Sequence, residues 1–93
     1  MITRDQVEHA KTMWEQARQS AGLAHECWGL LQQSRKALID SFRQAGFPVS
    51  KAAQEFEKLM EEHSERYTSA LAHMDSMSEA YAELLEEFRK AST

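Results

Sequence analysis

The sequence predicts an all-α protein, folded as a long antiparallel helical hairpin. Apolar residues recur at a spacing of seven through both halves of the chain, which is typical of packed helices. One strong turn signal, Gly46-Phe47-Pro48, lies near the midpoint. Only three glycines and one proline occur in 93 residues, which leaves little material for further turns. We therefore predict a single helical-hairpin domain over residues 1–93, with helices over about 4–45 and about 51–90.

The first helix has a clear predicted start. Thr3 is a good N-cap residue, and Gln6 three positions later completes the pattern of a capping box. In that motif each of the two side chains bonds the backbone N–H of the other residue. Ile2 and Val7 occupy the two positions of a hydrophobic staple. The helix is therefore predicted to begin at residue 4.

The turn at the midpoint is predicted in more detail. Gly46 can take the left-handed conformation that ends a helix, which places Phe47 where it can touch Phe42. Pro48 cannot continue the first helix, and it favours an extended backbone at the preceding residue. Ser50 is then predicted to be the N-cap of the second helix.

Each predicted helix carries two apolar rows with a seven-residue repeat. In the first helix the rows are Val7, Trp14, Ala21, Trp28, Arg35 and Phe42, and Ala10, Ala17, Ala24, Leu31, Leu38 and Ala45. In the second helix they are Phe56, His63, Ala70, Met77 and Leu84, and Met60, Tyr67, Met74, Tyr81 and Phe88. Arg35 and His63 alone interrupt this pattern. A sustained repeat of seven predicts coiled-coil packing with a left-handed supercoil.

A two-helix hairpin covers only part of its apolar stripe, because each helix has one neighbour. Small domains already bury a low fraction of their surface. Pairing two hairpins into a four-helix bundle covers the stripes, so we predict a homodimer or a heterodimer. The flanking apolar residues are candidates for this second contact surface: Leu23, Leu30, Ile39, Leu59, Leu71 and Leu85.

Composition disfavours several classes of partner. The net charge is −4, and no basic stripe is available to neutralise the phosphates of a nucleic acid. No apolar run approaches the roughly 20 residues that span a bilayer, so membrane insertion is not expected. The N-terminus lacks the charged start and apolar stretch of a signal peptide. A single cysteine excludes an intramolecular disulfide within the chain.

No catalytic, cofactor or metal site is predicted. Asp5 and His9 have the spacing of helical metal ligands, but no further ligand lies near them, and a solvated pair is the expected arrangement. His63 is expected to be a hydrogen-bonded residue of the core, with a pH-sensitive contact as the alternative. Cys27 is expected to be a small buried residue, because a catalytic thiol needs a base and His25 lies on a different side of the helix.

The overall plan resembles the Trp-X-Gly family, the early-secreted-antigen-like small proteins of type VII secretion systems. The resemblance rests on the length, the central turn, the second-helix start Ser50-Lys51-Ala52-Ala53-Gln54-Glu55-Phe56, and the heptads that run to Ala80-Tyr81-Ala82-Glu83-Leu84-Leu85-Glu86-Glu87-Phe88. Two family features differ. Gly46-Phe47-Pro48 replaces the Trp-X-Gly turn, and Leu85 stands where the tyrosine-acid export motif following Tyr81 requires a carboxylate.

The resemblance implies a non-enzymatic small type VII secretion partner or export adaptor that pairs through helix packing. Its mate is then a related hairpin or the helical N-terminus of a larger secreted protein. A cytoplasmic location, or secretion without a cleaved signal peptide, is therefore expected. The alternative is a cytosolic helical-hairpin chaperone or assembly factor of another secretion system or of a phage. The residues predicted to bind a partner are Trp14, Trp28, Leu31, Phe42, Phe56, Tyr67, Met74, Tyr81 and Phe88.

Overall fold

The computed structural model describes residues 2–92 and contains three helices over this range. Helix α1 spans Arg4–Gln33, α2 spans Arg35–Gln44 and α3 spans Val49–Ser92. No β-strand occurs among the described residues. The predicted all-α class is confirmed.

Backbone contacts divide the chain into two compact units. The terminal unit comprises residues 1–22 and 69–93, and the turn unit comprises residues 23–68. In each unit a segment of α1 or α2 packs antiparallel against a segment of α3. Trp14 pairs with Tyr81 in the terminal unit, and Trp28 pairs with Tyr67 in the turn unit.

The start of α1 forms the predicted capping box. The Thr3 backbone N–H donates to Oε1 of Gln6 at 2.9 Å, and the Gln6 backbone N–H donates to Oγ1 of Thr3 at 3.3 Å. These reciprocal bonds satisfy two backbone donors that have no partner inside the helix. Val7 is buried and Ile2 is half-buried, as the staple positions require.

The predicted single helix over residues 4–45 is wrong at Ser34, which separates α1 from α2. Ser34 has a ψ angle of 10°, and its N–H lies 3.0 Å from the Leu30 carbonyl and 3.2 Å from the Leu31 carbonyl. The shorter-range bond to Leu31 tightens the backbone locally, as in a 3₁₀ turn. Helical bonding resumes at once, because the Leu38 N–H donates to the Ser34 carbonyl at 2.9 Å. Neither glycine nor proline marks this site in the sequence.

The turn after α2 confirms the prediction for Gly46 and Phe47. Gly46 has a φ angle of +102°, and its N–H donates to the Arg43 carbonyl at 3.0 Å. The Phe47 N–H donates to the Phe42 carbonyl at 3.1 Å, which completes a Schellman motif. The Phe42 and Phe47 rings meet edge to face with centroids 5.9 Å apart. This contact closes the apolar side of the turn.

Helix α3 begins earlier than predicted. The Ala52 N–H donates to the Pro48 carbonyl at 2.8 Å, so the first helical turn closes on Pro48. Pro48 is thus the residue that precedes the first helical position, and proline is tolerated there because it has no N–H to leave unpaired. Ser50 therefore lies inside the first turn of α3, and its predicted role as the N-cap is wrong.

The buried residues come from different helices in the two units. In the terminal unit they are Val7, Ala17 and Ala21, all on α1. In the turn unit they are Ala52 and Phe56, both on α3. No residue between positions 23 and 44 is buried. In the turn unit, α1 and α2 therefore lie over the core residues of α3 while keeping much of their own surface uncovered.

Candidate interaction surfaces

An aromatic cluster joins α1 to α3 in the turn unit. The Trp28 and Tyr67 rings stack with centroids 6.0 Å apart and an interplanar angle of 24°. The His25 ring lies 5.2 Å from the Tyr67 ring and 6.4 Å from the Trp28 ring. His25 is exposed, whereas Trp28 and Tyr67 are half-buried. The cluster packs the two helices together and leaves one edge in contact with solvent.

Arg35 lies in a core-facing row, but its charged group is not buried. Its side chain is exposed, and its Cζ lies 5.5 Å from the centroid of the Phe56 ring. A guanidinium above an aromatic face is attracted by the ring quadrupole. Arg35 thus shields the buried Phe56. His63, the other interruption, is half-buried, and no hydrogen bond to it is seen within residues 2–92, so the hydrogen-bonded arrangement expected for it is not found.

The terminal unit has a simpler aromatic contact. The Trp14 and Tyr81 rings lie 6.1 Å apart at an interplanar angle of 34°. Arg18, one helical turn after Trp14, places its Cζ 5.2 Å from the Trp14 ring centroid. Both rings are half-buried. Here α1 supplies the buried side chains as well as the tryptophan.

The structure assigns most of the predicted partner-binding residues to packing within the chain. Trp14, Trp28, Tyr67 and Tyr81 form the two interhelical aromatic pairs, and Phe42 packs on the turn. Phe56 is only 3% exposed, so it is a core residue of the chain. The remaining three are half-buried: Leu31, Met74 and Phe88. The half-buried members keep a share of surface that a partner can cover.

Three large apolar residues are instead exposed: Leu23 at 57%, Leu30 at 59% and Val49 at 59%. The two leucines belong to the predicted second contact surface. Val49 was missed because the second helix was predicted to begin only at about residue 51, although Val49 lies seven residues before Phe56. The lone cysteine, Cys27, is also exposed, so the expectation that it is buried is wrong. It lies one turn from each leucine on the same face of α1.

These exposed residues belong to a longer row, which we call the side seam. It follows alternating steps of four and three residues along α1 and α2, and every member is exposed and uncharged. The side seam consists of Leu23, Cys27, Leu30, Ser34, Ala37 and Ser41. Large apolar residues alone do not reveal it, because only Leu23 and Leu30 of its six members are large. Its signal in the sequence is the absence of charge at heptad spacing.

The polar residues considered as ligands do not cluster. Asp5 and His9 are both exposed and line an open groove beside Leu84 in the terminal unit. Among residues 2–92, no three histidine, cysteine, aspartate or glutamate side chains lie close enough together to hold a metal ion. Over the same residues, no helix combines the length and the apolar character needed to cross a membrane.

Comparison with known proteins adds no relative to this description. No protein family, curated protein or solved structure matches the chain.

Proposed function

We propose that this protein is a non-enzymatic helical protein–protein interaction module that pairs with another helical chain through helix packing. One observation carries the proposal: the chain leaves most of its apolar residues partly or fully uncovered. Only five residues are buried within the described range, and Phe56 is the only large one among them. Leu23 and Leu30 are more than half exposed. Covering such surface is favourable by about 25 cal/mol for each Å² removed from water.

The accessible surface area supports pairing. The chain exposes 7018 Å². A folded monomer of the same mass is expected to expose about 5,500 Å². The excess, about 1,500 Å², is similar to the area that each subunit contributes to obligate dimer interfaces of roughly 2,000–5,000 Å² in total.

The partner that fits this surface best is another helical hairpin. Two hairpins packed side by side form a four-helix bundle, in which every helix gains a second neighbour. The mate is a second copy, a related hairpin, or the helical N-terminus of a larger secreted protein. The resemblance to the Trp-X-Gly family adds the finer proposal of a small type VII secretion partner or export adaptor. Phe47, in contact with Phe42, takes the place of the aromatic residue in the turn of that family.

A second candidate is a cytosolic helical-hairpin chaperone or assembly factor of another secretion system or of a phage. The region around Tyr81 favours it. The Tyr81 ring packs on Trp14, and the fourth residue after it is Leu85 rather than an acid. The tyrosine-acid export motif of the Trp-X-Gly family has a carboxylate at that position.

Light scattering and circular dichroism on one purified sample test the pairing. We expect a helical protein with a mass near twice 10.7 kDa. A well-folded monomer at all concentrations up to about 1 mM, where binding is worth only about 4 kcal/mol, contradicts self-pairing. A monomer that becomes more helical with a hairpin encoded beside it supports a heterodimer. A monomer that is fully folded and does not bind such a hairpin contradicts the proposal.

Export separates the two candidates. The tagged chain is produced in a cell with an active type VII system and in a matched strain that lacks its membrane ATPase. Tagged protein in the medium of the first strain alone supports the secretion partner. Retention in both strains, with the chain folded and paired in the cytoplasm, supports the chaperone or assembly factor.

A further inference from the structure

The side seam differs from the corresponding surface of α3 in the turn unit. From Leu23 to Ser41 it carries no charge. The equivalent row of α3, with the same spacing and one residue before the core-facing positions of that helix, contains Glu55, Leu59, Glu62 and Arg66. Charged residues make up 28% of the chain, and an ordinary solvated helix face carries its share of them. The contrast marks the side seam as a surface that is covered in the working protein.

The position of the side seam fits a helix with two neighbours. Its members each lie one residue before a core-facing position such as Ala24, Trp28, Leu31 or Leu38. One residue corresponds to a rotation of about 100° around an α-helix. Helices of a four-helix bundle contact two neighbours at a similar angle. Helix α3 is the first of these two neighbours, and the side seam faces the position of the second.

Two antiparallel copies of the side seam have complementary side-chain sizes. When two copies run antiparallel around a two-fold axis between Leu30 and Ser34, heptad layers place Leu30 opposite Ser34. The same register places Leu23 opposite Ser41 and Cys27 opposite Ala37. Each leucine therefore meets a small residue, so large and small side chains can interdigitate. A two-fold axis repeats every layer, as an isologous interface requires.

We propose that the side seam binds the side seam of a second copy of this chain, antiparallel and in this register. The inference rests on the proposed function, and it names the partner and the surface. Absence of charge favours a second copy, because a charged row brought against itself places like charges together. Ser41 adds little polarity to the seam, since its hydroxyl already donates to the Ala37 carbonyl of its own helix at 3.0 Å.

Disulfide cross-linking tests the register. Cys27 is the only cysteine, so Ala37→Cys creates two symmetry-equivalent Cys27–Cys pairs across the interface. Mild oxidation should give a dimer linked through Cys27 of one copy and the new cysteine of the other, identified by peptide mass mapping. The wild type should cross-link poorly. Its two Cys27 residues lie ten residues apart along the helix axis, about 15 Å, well beyond disulfide reach.

Lys36→Cys is the matched control. Lys36 is exposed and adjacent to Ala37, but it lies about 100° away around the helix. We expect at least about tenfold more cross-linked dimer from Ala37→Cys than from Lys36→Cys, because a disulfide requires Cα atoms within about 7 Å. Equal cross-linking of the two variants overturns the register. Rapid linking of Cys27 to Cys27 in the wild type also overturns it, in favour of parallel or differently placed helices.

A charge in the seam tests the surface itself. Leu30→Lys should raise the dimer Kd by about 100-fold, because the interface loses two leucines by symmetry and gains two buried charges. Helicity should remain, since Leu30 is 59% exposed within its own chain. Gln32→Lys adds the same charge at an exposed position outside the seam and should leave Kd within about threefold, as expected for peripheral charges. A Leu30→Lys variant that dimerises like the wild type overturns the proposal.

Salt dependence distinguishes a second copy from an oppositely charged partner. Glu26 and Asp40 flank the seam, and in this register Glu26 lies near Asp40 of the second copy. Salt screens this repulsion, so the dimer should tighten as ionic strength rises. A dimer that weakens with salt contradicts the proposed interface. If a dimer forms but fails these tests, the side-seam inference is wrong and the proposed function stands. If no self-pairing occurs, the side-seam inference is also wrong, and only a heterologous partner sustains the function.

Discussion

The terminal unit and the turn unit each pair a segment of α3 with a segment from the first half of the chain. The buried residues nevertheless come from different helices in the two units. In the terminal unit the buried residues Val7, Ala17 and Ala21 all come from α1. In the turn unit the buried residues Ala52 and Phe56 both come from α3. Small side chains on α1 in the first case allow close approach of α3. In the second case a single phenylalanine holds the centre and α1 and α2 cover it.

The difference in which helix is buried explains why the side seam lies on α1 and α2 of the turn unit. A helix segment without any buried residue gains little stabilisation from packing within its own unit, and its remaining faces stay exposed to solvent. Residues 23–44 form such a segment, and they carry the exposed Leu23 and Leu30. A charged surface is the usual way to keep such a segment soluble. Here the free face is uncharged, as expected if the proposed second copy covers it.

The largest expected effect tests whether Phe56 is the centre of the turn unit. Phe56→Ala should lower the free energy of unfolding by about 3–5 kcal/mol, the range for a buried phenylalanine. Phe88→Ala, in the half-buried position of the terminal unit, should cost about half as much, because less surface and a smaller cavity are involved. Urea unfolding at one fixed protein concentration measures both, since pairing makes stability depend on concentration. Equal losses would remove the difference between the units.

Trp28→Ala should have the second largest effect, about 2–3 kcal/mol, below the range for fully buried tryptophans. Its ring contacts both Tyr67 and His25, while Trp14 contacts one ring and the Arg18 guanidinium. We therefore expect Trp14→Ala to cost less than Trp28→Ala in the same urea experiment. The double variant Trp28→Ala/Tyr67→Ala should show a coupling of about 0.5–1.5 kcal/mol, as stacked aromatic pairs do. Additive losses for that pair would mean that the stacking contributes nothing specific.

The glycines should give effects of opposite sign. Gly46→Ala should cost about 1–2 kcal/mol, because a φ angle of +102° is strained for a residue with a Cβ atom. Gly22→Ala in the terminal unit should stabilise by about 0.5–1 kcal/mol, since alanine loses less conformational entropy in a helix. A Cβ atom at either position meets nothing within 4 Å, so sterics with neighbours do not confuse the comparison. A stabilising Gly46→Ala would show that the turn relaxes to a different backbone.

Local chemistry made the start of α1 and the end of α2 predictable. The Thr3 and Gln6 capping box and the Gly46 stop depend on residues close in sequence, so a short motif defines each of them. The interruption at Ser34 could not be predicted in this way, because neither glycine nor proline marks it and the helical bonds from Ser34 to Leu30 and from Leu38 to Ser34 are kept. Ser50 was misassigned because Pro48 supplies the first accepting carbonyl of α3. Ser50 is a good capping residue, so the sequence favoured it over Pro48.

The candidate surface was predictable only in part. Heptad spacing identified the aromatic residues that pair between helices, including Trp14, Trp28 and Tyr67. Heptad spacing could not show which of these residues are buried within the chain, because burial depends on which helix supplies the core of each unit. Exposure in the structure resolved this for Phe56, which is buried, and for Leu30, which is not. Cys27 was misplaced for the same reason, since residue type alone favours burial of a cysteine.

The smallest expected effects compare two residues that stand at the same formal position. Thr3 and Ser34 both precede a helix, but only Thr3 uses its side chain to cap one. Thr3→Ala should therefore cost about 1 kcal/mol, whereas Ser34→Ala should change stability by no more than about 0.5 kcal/mol and in the favourable direction.

Amide hydrogen exchange locates these effects as well as measuring them. Thr3→Ala should speed exchange in the first turn of α1, because the Gln6 N–H loses its acceptor and the first turn frays. Ser34→Ala should slow exchange around residues 34–38, since alanine favours the regular helical bonds that Ser34 interrupts. If Ser34→Ala instead loosened this segment, the serine would be stabilising the junction of α1 and α2. That junction would then be a built feature of the side seam, and not a weak point in one long helix.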